Sequence, residues 1–348
     1  MAIIDKPNLH FETKLYTGTG SSLAISSLNF QPDLTWIKGR SGATEHVLTD
    51  SVRGVTKELS SNDTGAEETV AQGLTAFGSD GFTVGTDGSY NTSSATYASW
   101  NFKAGGTASS NTDGTITSSV SANTTSGMSI VSYTGNATAG ATVGHGLGSV
   151  PKMIIVKDRD AAKNWICYHQ ALGNDRSIYL NLTNAQSVST DHWNYTTPTS
   201  SVFSLGNYSH VNTTDDYIAY CFAEKQGYSK FGSYTGNGNA DGTFVYTGFK
   251  PAFFLCKRYN DAGYDWLMYD NKRQVSFNVI DDFLKPNLSD AETTGNANQS
   301  LDFLSNGVKF RGNGASSNGS GASYIYMAFA EQPFTTSTTN GSIPATAR

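Results

Sequence analysis

Charge is scarce in this 348-residue chain: Asp, Glu, Lys and Arg make up 15% of it, against roughly 25% in an average soluble domain. The formal net charge is −6, and no cluster of Lys and Arg stands out. Nucleic-acid binding is therefore not expected, because neutralising phosphates takes grouped basic side chains. No run approaches the roughly 18 apolar residues of a membrane-crossing helix, so no membrane insertion is expected. The start, Met1-Ala2-Ile3-Ile4-Asp5-Lys6-Pro7, has neither a basic stretch nor a long apolar one, which reads as no signal peptide. Cysteine is rare as well. Cys167, Cys221 and Cys256 are odd in number and irregular in spacing, which is not a disulfide framework. Each sits in an apolar run and is expected to be a buried small hydrophobe; a Cys167–Cys221 bridge is the alternative.

What the chain has in quantity is Gly (36), Tyr (18) and Phe (18), with much Ser, Thr and Asn. Aromatics suit pleated faces, and Gly and Asn supply turns, so the composition predicts short strands and many turns. Three phrases recur in fixed order. The first is Tyr16-Thr17-Gly18, Tyr133-Thr134-Gly135 and Tyr234-Thr235-Gly236. The second is a Pro followed six positions later by a Lys: Pro32 to Lys38, Pro151 to Lys157, Pro251 to Lys257. The third is an aromatic strand ending in Phe: Tyr97–Phe102, Tyr217–Phe222, Tyr324–Phe329. Repeats of about 100 residues are too long for a solenoid and long enough to hold their own core. Short strands with Gly/Asn punctuation argue for a sandwich or barrel.

The expected fold is all-β, with three tandem antiparallel β-sandwich domains. Residues 1–10 read as a short arm, 11–106 as the first sandwich, and 107–128 as a Ser/Thr/Gly-rich linker in which Thr115–Val120 has edge-strand character. Residues 129–228 and 229–334 read as the second and third sandwiches, and 335–348 as a polar tail. With no linker between them, the second and third sandwiches are expected to pack rigidly, with the first offset. Asp80-Gly81 and Asn306-Gly307 are expected at hairpin turns; the corresponding stretch of the second repeat, Val202–Asn207, has lost that phrase.

Chemistry is thinly signalled. Asp50 and Arg53 recur as Asp270 and Arg273, whereas the second repeat has His169 and no such pair. The expected role is an ion pair at a surface turn, with ligand contact as the alternative. Glu67, Gln186 and Glu292 also correspond; Gln cannot act as a general acid or base, so surface or turn roles are expected. The six histidines (10, 46, 145, 169, 192 and 210) form no zinc-binding spacing. Asp215-Asp216 and Asp281-Asp282 lack a calcium-loop pattern, and no metal or other cofactor is expected. Gly144-His145-Gly146-Leu147-Gly148 precedes a strand and reads as a turn, not a phosphate loop. The residues left as ligand-binding candidates are loop aromatics in polar surroundings: Tyr195, Tyr208, Tyr259 and Tyr264, with Tyr228 beside them. Rings flanked by amides suit sugar or protein contact. Packing between repeats is the competing reading.

Several phrases resemble a family of bacteriophage virion proteins that carry copies of a concanavalin-A-like, lectin-type sandwich. They are Phe30–Lys38, Gly81–Gly85, Ser233–Gly238 and Tyr324–Phe334, and the resemblance spans residues 11 to 334. It implies a non-enzymatic virion structural protein, a tail fibre or adhesin. Its partners would be other virion proteins, further copies of itself as a homotrimer, and a host surface glycan or protein. A capsid decoration or tail scaffold is the alternative. A polysaccharide-degrading enzyme is a third, weakened by the lack of a Glu-x-Asp-x-x-Glu strand. Assembly in the host cytoplasm fits the missing disulfide framework.

Overall fold

The computed structural model describes residues 4, 6–274, 276–331, 335–338 and 341–344. Residues 1–3 and 5 of the arm, the phrase end at 332–334, and tail positions 339–340 and 345–348 lie outside the described residues. The fold is all-β and antiparallel. Among the described residues the two α-helices, α1 (Gly88–Asn91) and α2 (Thr190–Trp193), are single turns.

In the first repeat the strands are β1 (Phe11–Thr17), β2 (Leu23–Ile25), β3 (Leu34–Gly39), β4 (His46–Asp50), β5 (Lys57–Ser60), β6 (Glu68–Thr69), β7 (Leu74–Gly78), β8 (Gly81–Val84) and β9 (Thr96–Phe102). They form a sheet β1-β9-β3-β4-β5-β6 and a smaller outer sheet β2-β8-β7. In the second repeat they are β10 (Ser109–Asn111), β11 (Ser118–Asn123), β12 (Met128–Thr134), β13 (Thr142–Gly144), β14 (Met153–Asp158), β15 (Ile166–His169), β16 (Arg176–Tyr179), β17 (Ser187–Val188), β18 (Val202–Ser204) and β19 (Asp216–Phe222). Here the sheets are β10-β11-β12-β19-β14-β15-β16-β17 and β13-β18. The third repeat has β20 (Ser229–Thr235), β21 (Phe244–Tyr246), β22 (Phe253–Arg258), β23 (Trp266–Asp270), β24 (Leu301–Leu304), β25 (Gly307–Phe310) and β26 (Ser323–Phe329), in sheets β20-β26-β22-β23 and β21-β25-β24. A hairpin, β27 (Thr335–Thr338) with β28 (Gly341–Pro344), follows.

Each repeat closes a sandwich core between its two sheets. In the first, Ile25, Phe82 and Val84 of the outer sheet meet Ile37, Val47 and Tyr97 of the inner one. The phrase Tyr-Thr-Gly ends the first strand, and its Tyr stacks on the first Tyr of the closing strand. The ring centroids are 5.0, 5.2 and 4.8 Å apart for Tyr16–Tyr97, Tyr133–Tyr217 and Tyr234–Tyr324.

The three inner sheets then turn their second faces to one another. One apolar cluster takes Trp36, Trp100 and Phe102 from the first repeat, Ile155, Trp165 and Phe222 from the second, and Leu255, Trp266 and Phe329 from the third. The closing phenylalanines meet at its centre: Phe102–Phe222 6.0 Å, Phe102–Phe329 5.3 Å, Phe222–Phe329 5.9 Å. The inner strands are thus buried on both faces, as sheets covered on both sides are. The first repeat is therefore not offset, since it shares this core with the others. Nor is the stretch 107–128 free chain, because β10 and β11 extend the second repeat's inner sheet, with Val120 buried. Its Ser/Thr-rich composition succeeds there because it adds backbone pairing to an existing core.

The hairpin phrases work differently from expectation. Gly78 pairs with Gly81 and Leu304 with Gly307, so the two-residue loops are Ser79-Asp80 and Ser305-Asn306. The glycine opens the next strand because a Cβ at Gly81 would lie 1.9 Å from the Ile25 carbonyl oxygen, and one at Gly307 2.2 Å from that of Val245. All three cysteines are free and buried. Cys167 belongs to the shared core and Cys221 to the second sandwich core, which excludes the alternative bridge.

Candidate functional site

The seams between repeats absorb most of the polar residues that the sequence singles out. The recurring lysines are buried, and each reaches into a neighbouring repeat. Lys38 Nζ donates to the Ser289 carbonyl (3.2 Å), Lys157 Nζ to that of Thr64 (3.2 Å) and Lys257 Nζ to that of Thr183 (3.3 Å). First therefore grips third, second grips first, and third grips second: a closed ring with pseudo-threefold symmetry. Burial pushes each of these ammonium groups down to about 8.

Glu67, Gln186 and Glu292 lie on the same seams. Their amides donate to the carbonyls of Arg159 (2.7 Å), Tyr259 (2.9 Å) and Arg40 (3.0 Å). Where the acceptor residue is Arg, the partner is Glu: Arg159 Nε to Glu67 Oε2 is 2.9 Å and Arg40 Nε to Glu292 Oε2 is 2.8 Å. Where it is Tyr259, the partner is the neutral Gln186. The Glu/Gln alternation is thus charge matching across seams.

Asp50–Arg53 is no surface turn pair. Both side chains are fully buried, with Arg53 Nε 2.5 Å from Asp50 Oδ2. Tyr220 of the second repeat donates its hydroxyl to the same carboxylate (2.8 Å), and Arg53 Nη2 donates to the Leu48 carbonyl (2.8 Å). Asp270–Arg273 is built alike, with Trp100 Nε1 of the first repeat donating to Asp270 Oδ2 at 3.0 Å. The third repeat offers Met327 at the place of Trp100 and Tyr220, and Met has no such donor. The strand facing it ends in His169, whose Nε2 lies 3.2 Å from the Tyr326 carbonyl oxygen. The Asp-x-x-Arg therefore appears where the neighbouring repeat supplies a donor.

Of the loop aromatics, Tyr228 is buried in the shared core against Phe329 (5.4 Å). Its sequence neighbours are polar, but the chain passes there between the second and third repeats. Tyr259 and Tyr264 are half-buried on the same seam: Tyr264 lies under the Arg258 guanidinium (4.1 Å), and its carbonyl accepts from Lys257 Nζ. Tyr195 and Tyr208 both fall in the segment that distinguishes the second repeat. There the third outer strand, present as β7 and β24 in the other repeats, is replaced by α2 and a loop.

Tyr208 is the centre of a small cluster. Its ring stacks on His210 (4.7 Å, 8° between planes) and meets His192 edge-on (4.7 Å, 76°). His192 is buried; its Nδ1 lies 3.0 Å from Ser177 Oγ, while its Nε2 has no hydrogen-bond partner. His210 Nε2 is 3.3 Å from Asn164 Nδ2. Burial pushes both imidazoles down to about 4, with Lys163 and Lys157 adding to the effect at His210, so both are neutral at neutral pH. Tyr195 is 58% exposed with a φ of 50°. Asn174 Nδ2 donates to the Tyr195 carbonyl (2.8 Å) and to Thr197 Oγ1 (3.1 Å), holding the loop. The face is thus aromatic, with neutral imidazole, phenol and amide groups, and is bordered by the charged Asp191 and Lys163. Such rings offer stacking area at low entropic cost beside hydrogen-bonding atoms. The two histidines are 18 positions apart, too far for a local motif to show.

Among the described residues no group of three or more His, Cys, Asp and Glu converges as a metal site, and no helix is long and apolar enough to cross a membrane. An acidic hollow of about 160 Å³ is lined by Glu45, Glu58, Asp63 and Glu68. Burial pushes the Glu58 carboxyl up to about 7 there.

Fold and site define an all-β protein of three antiparallel sandwiches locked about one core, with a distinctive aromatic face on the second. The family model described as "Domain of unknown function (DUF7483)" matches residues 6–333, and the chain belongs to that family. No curated protein and no solved structure matches it.

Proposed function

We propose that the protein is a non-enzymatic structural component of a bacteriophage virion, a tail fibre or adhesin that meets the host surface through its second repeat. The observation that carries this reading is Tyr208 set between His192 and His210, in the repeat whose outer layer departs from the other two. Residues common to all repeats serve the seams, whereas Tyr195 and Tyr208 lie outside the phrases that the repeats share, and the rings, imidazoles and amides there suit a glycan or a polar protein surface. Support also comes from the resemblance to lectin-type virion sandwiches and from a shared core that keeps the binding face on a rigid body. In binding assays with host cells, run well below the unfolding temperature of each variant, Tyr208→Ala and Tyr195→Ala should lower affinity at least tenfold; Tyr195→Ala should leave thermal unfolding unchanged, whereas Tyr208→Ala also loses the packing on His192 and His210. Undiminished binding by both variants refutes this assignment, and release of reducing ends from host polysaccharide refutes the non-enzymatic reading.

A head-surface role is the second reading. Three pseudo-equivalent repeats about one axis suit a seat on a threefold axis of a capsid. Labelling the protein on intact virions separates the two. The homotrimer implied by the resemblance belongs to the first reading, and the mass of the protein in solution tests it.

A further inference from the structure

In the second sandwich, one rim is covered by the segment that follows the closing strand of the first repeat. β11 pairs along β12, and Gly114–Ile116 runs beside β13, where Ile116 bridges Val143 in parallel. Thr115 and Thr142 exchange hydrogen bonds, each amide donating to the other's hydroxyl (2.9 and 2.8 Å). The approach is so close that a Cβ at Gly114 would lie 2.4 Å from the Thr142 carbonyl oxygen.

The same rim of the first sandwich is bare. β1 and β2 are edge strands, and nothing pairs beyond them among the described residues. A row of unpaired N–H and C=O groups of this kind is a template for another strand.

The segment after the third closing strand has the matching sequence. Asp113-Gly114-Thr115-Ile116 begins 11 positions after Phe102, and Asn340-Gly341-Ser342-Ile343 begins 11 positions after Phe329. The ring supplies the geometry, since the third repeat meets the first as the first meets the second. The Glu292–Arg40 seam repeats the Glu67–Arg159 seam, so Phe329 stands to β1 as Phe102 stands to β12.

The side chains on the rims agree. Aligning Ile25, Val143 and Val245 through their pairing with Phe82, Phe203 and Val308 places Ala24 and Ser26 where the covered rim has Thr142 and Gly144. These are small residues that leave room for a strand. The third repeat has Phe244 and Tyr246 there, 43% and 63% exposed, and those rings would block one.

We propose that Gly341–Ile343 of the same chain docks on the rim of the first sandwich beside β2, covering there the edge that Gly114–Ile116 covers in the second. The test is the full-length double variant Ala24→Cys/Ser342→Cys, the counterpart of the Thr142/Thr115 contact. The three native cysteines are fully buried and stay out of the reaction. Mild oxidation at low protein concentration should give an intramolecular disulfide in a monomer. Disulfide-linked multimers would place the segment on a second copy and overturn the proposal, as would persistent free thiols. Independently, Gly341→Val should speed hydrogen exchange of the β2 amides at least tenfold while leaving β21, whose rim is blocked by its own Phe244 and Tyr246, unchanged. Equal exchange of β2 in both proteins overturns the proposal.

Discussion

Replacing Arg53 by Met removes a guanidinium and keeps most of the side chain's apolar stem. What remains is a fully buried Asp50 carboxylate. It still accepts from the amides of Val52 (3.0 Å) and Arg53 (2.9 Å) and from the Tyr220 hydroxyl (2.8 Å), but it has lost its counter-ion. The Leu48 carbonyl loses its Nη2 donor as well. Stranding one member of a buried pair costs about 3–5 kcal/mol. Removing the charge from both, in Arg53→Met/Asp50→Asn, spares that penalty, so the double variant should recover about 2 kcal/mol or more relative to Arg53→Met. Arg176, 38% exposed with Asp175 3.7 Å away, is the internal control; Arg176→Met should cost at most about 1 kcal/mol. Urea denaturation followed by tryptophan fluorescence is a suitable assay, because Trp36, Trp100, Trp165, Trp193 and Trp266 are all buried. If Arg53→Met shifts the midpoint no more than Arg176→Met, Asp50–Arg53 is not the buried inter-repeat node described above.

Phe329 touches Phe11, Phe102, Phe222, Tyr228, Phe231 and Phe253 across all three repeats. Phe329→Ala should cost about 3–5 kcal/mol and leave a single unfolding transition; separate transitions would show that the shared core does not couple the repeats. The seam lysines predict a pH dependence. Each holds its proton only to about 8 when folded, against 10.5 when unfolded. Above pH 8 the unfolded chain thus binds more protons, and stability rises with pH. Beyond about pH 9 the buried thiols oppose this, because burial raises their own proton affinity above the ordinary value of 9.0. Melting temperature should therefore climb between pH 7.5 and 9, and a fall over that interval contradicts the lysine burial. Glu58 acts in the opposite sense. Its folded carboxyl titrates at about 7 against 4.5 unfolded, so stability falls as pH rises between those values. Glu58→Gln should gain roughly 1–2 kcal/mol at pH 8 and little at pH 4.5; an equal gain at both would point to packing instead of charge.

How far the sequence reached follows the range of the interactions. The Tyr-Thr-Gly phrase, the Pro-led strand and the closing aromatic strand are legible because alternation and turn residues act within a few positions, and their threefold recurrence marks the sandwiches. A run such as Met153–Val156 even carries the signature of a strand buried on both faces. The composition of 107–128 showed edge-strand character only at Thr115–Val120 and hid the rest of β11, since that strand rests on a neighbour's edge and not on its own apolar side chains. The partners of Asp50, Glu67, Tyr228 and Tyr264 were hidden for a related reason. A polar residue reads the same in a sequence whether it faces water or another repeat, and only the closing of the ring distinguishes them. His192 and His210 meet across Tyr208 because α2 displaces a strand, a contact that no local spacing encodes. The chain by itself thus determined the strands, the repeat and the all-β class, all set by local periodicity. Tertiary structure decided which faces are buried twice, which charges are paired across seams and which aromatic face is left for a partner, because each depends on how the three sandwiches lie against one another.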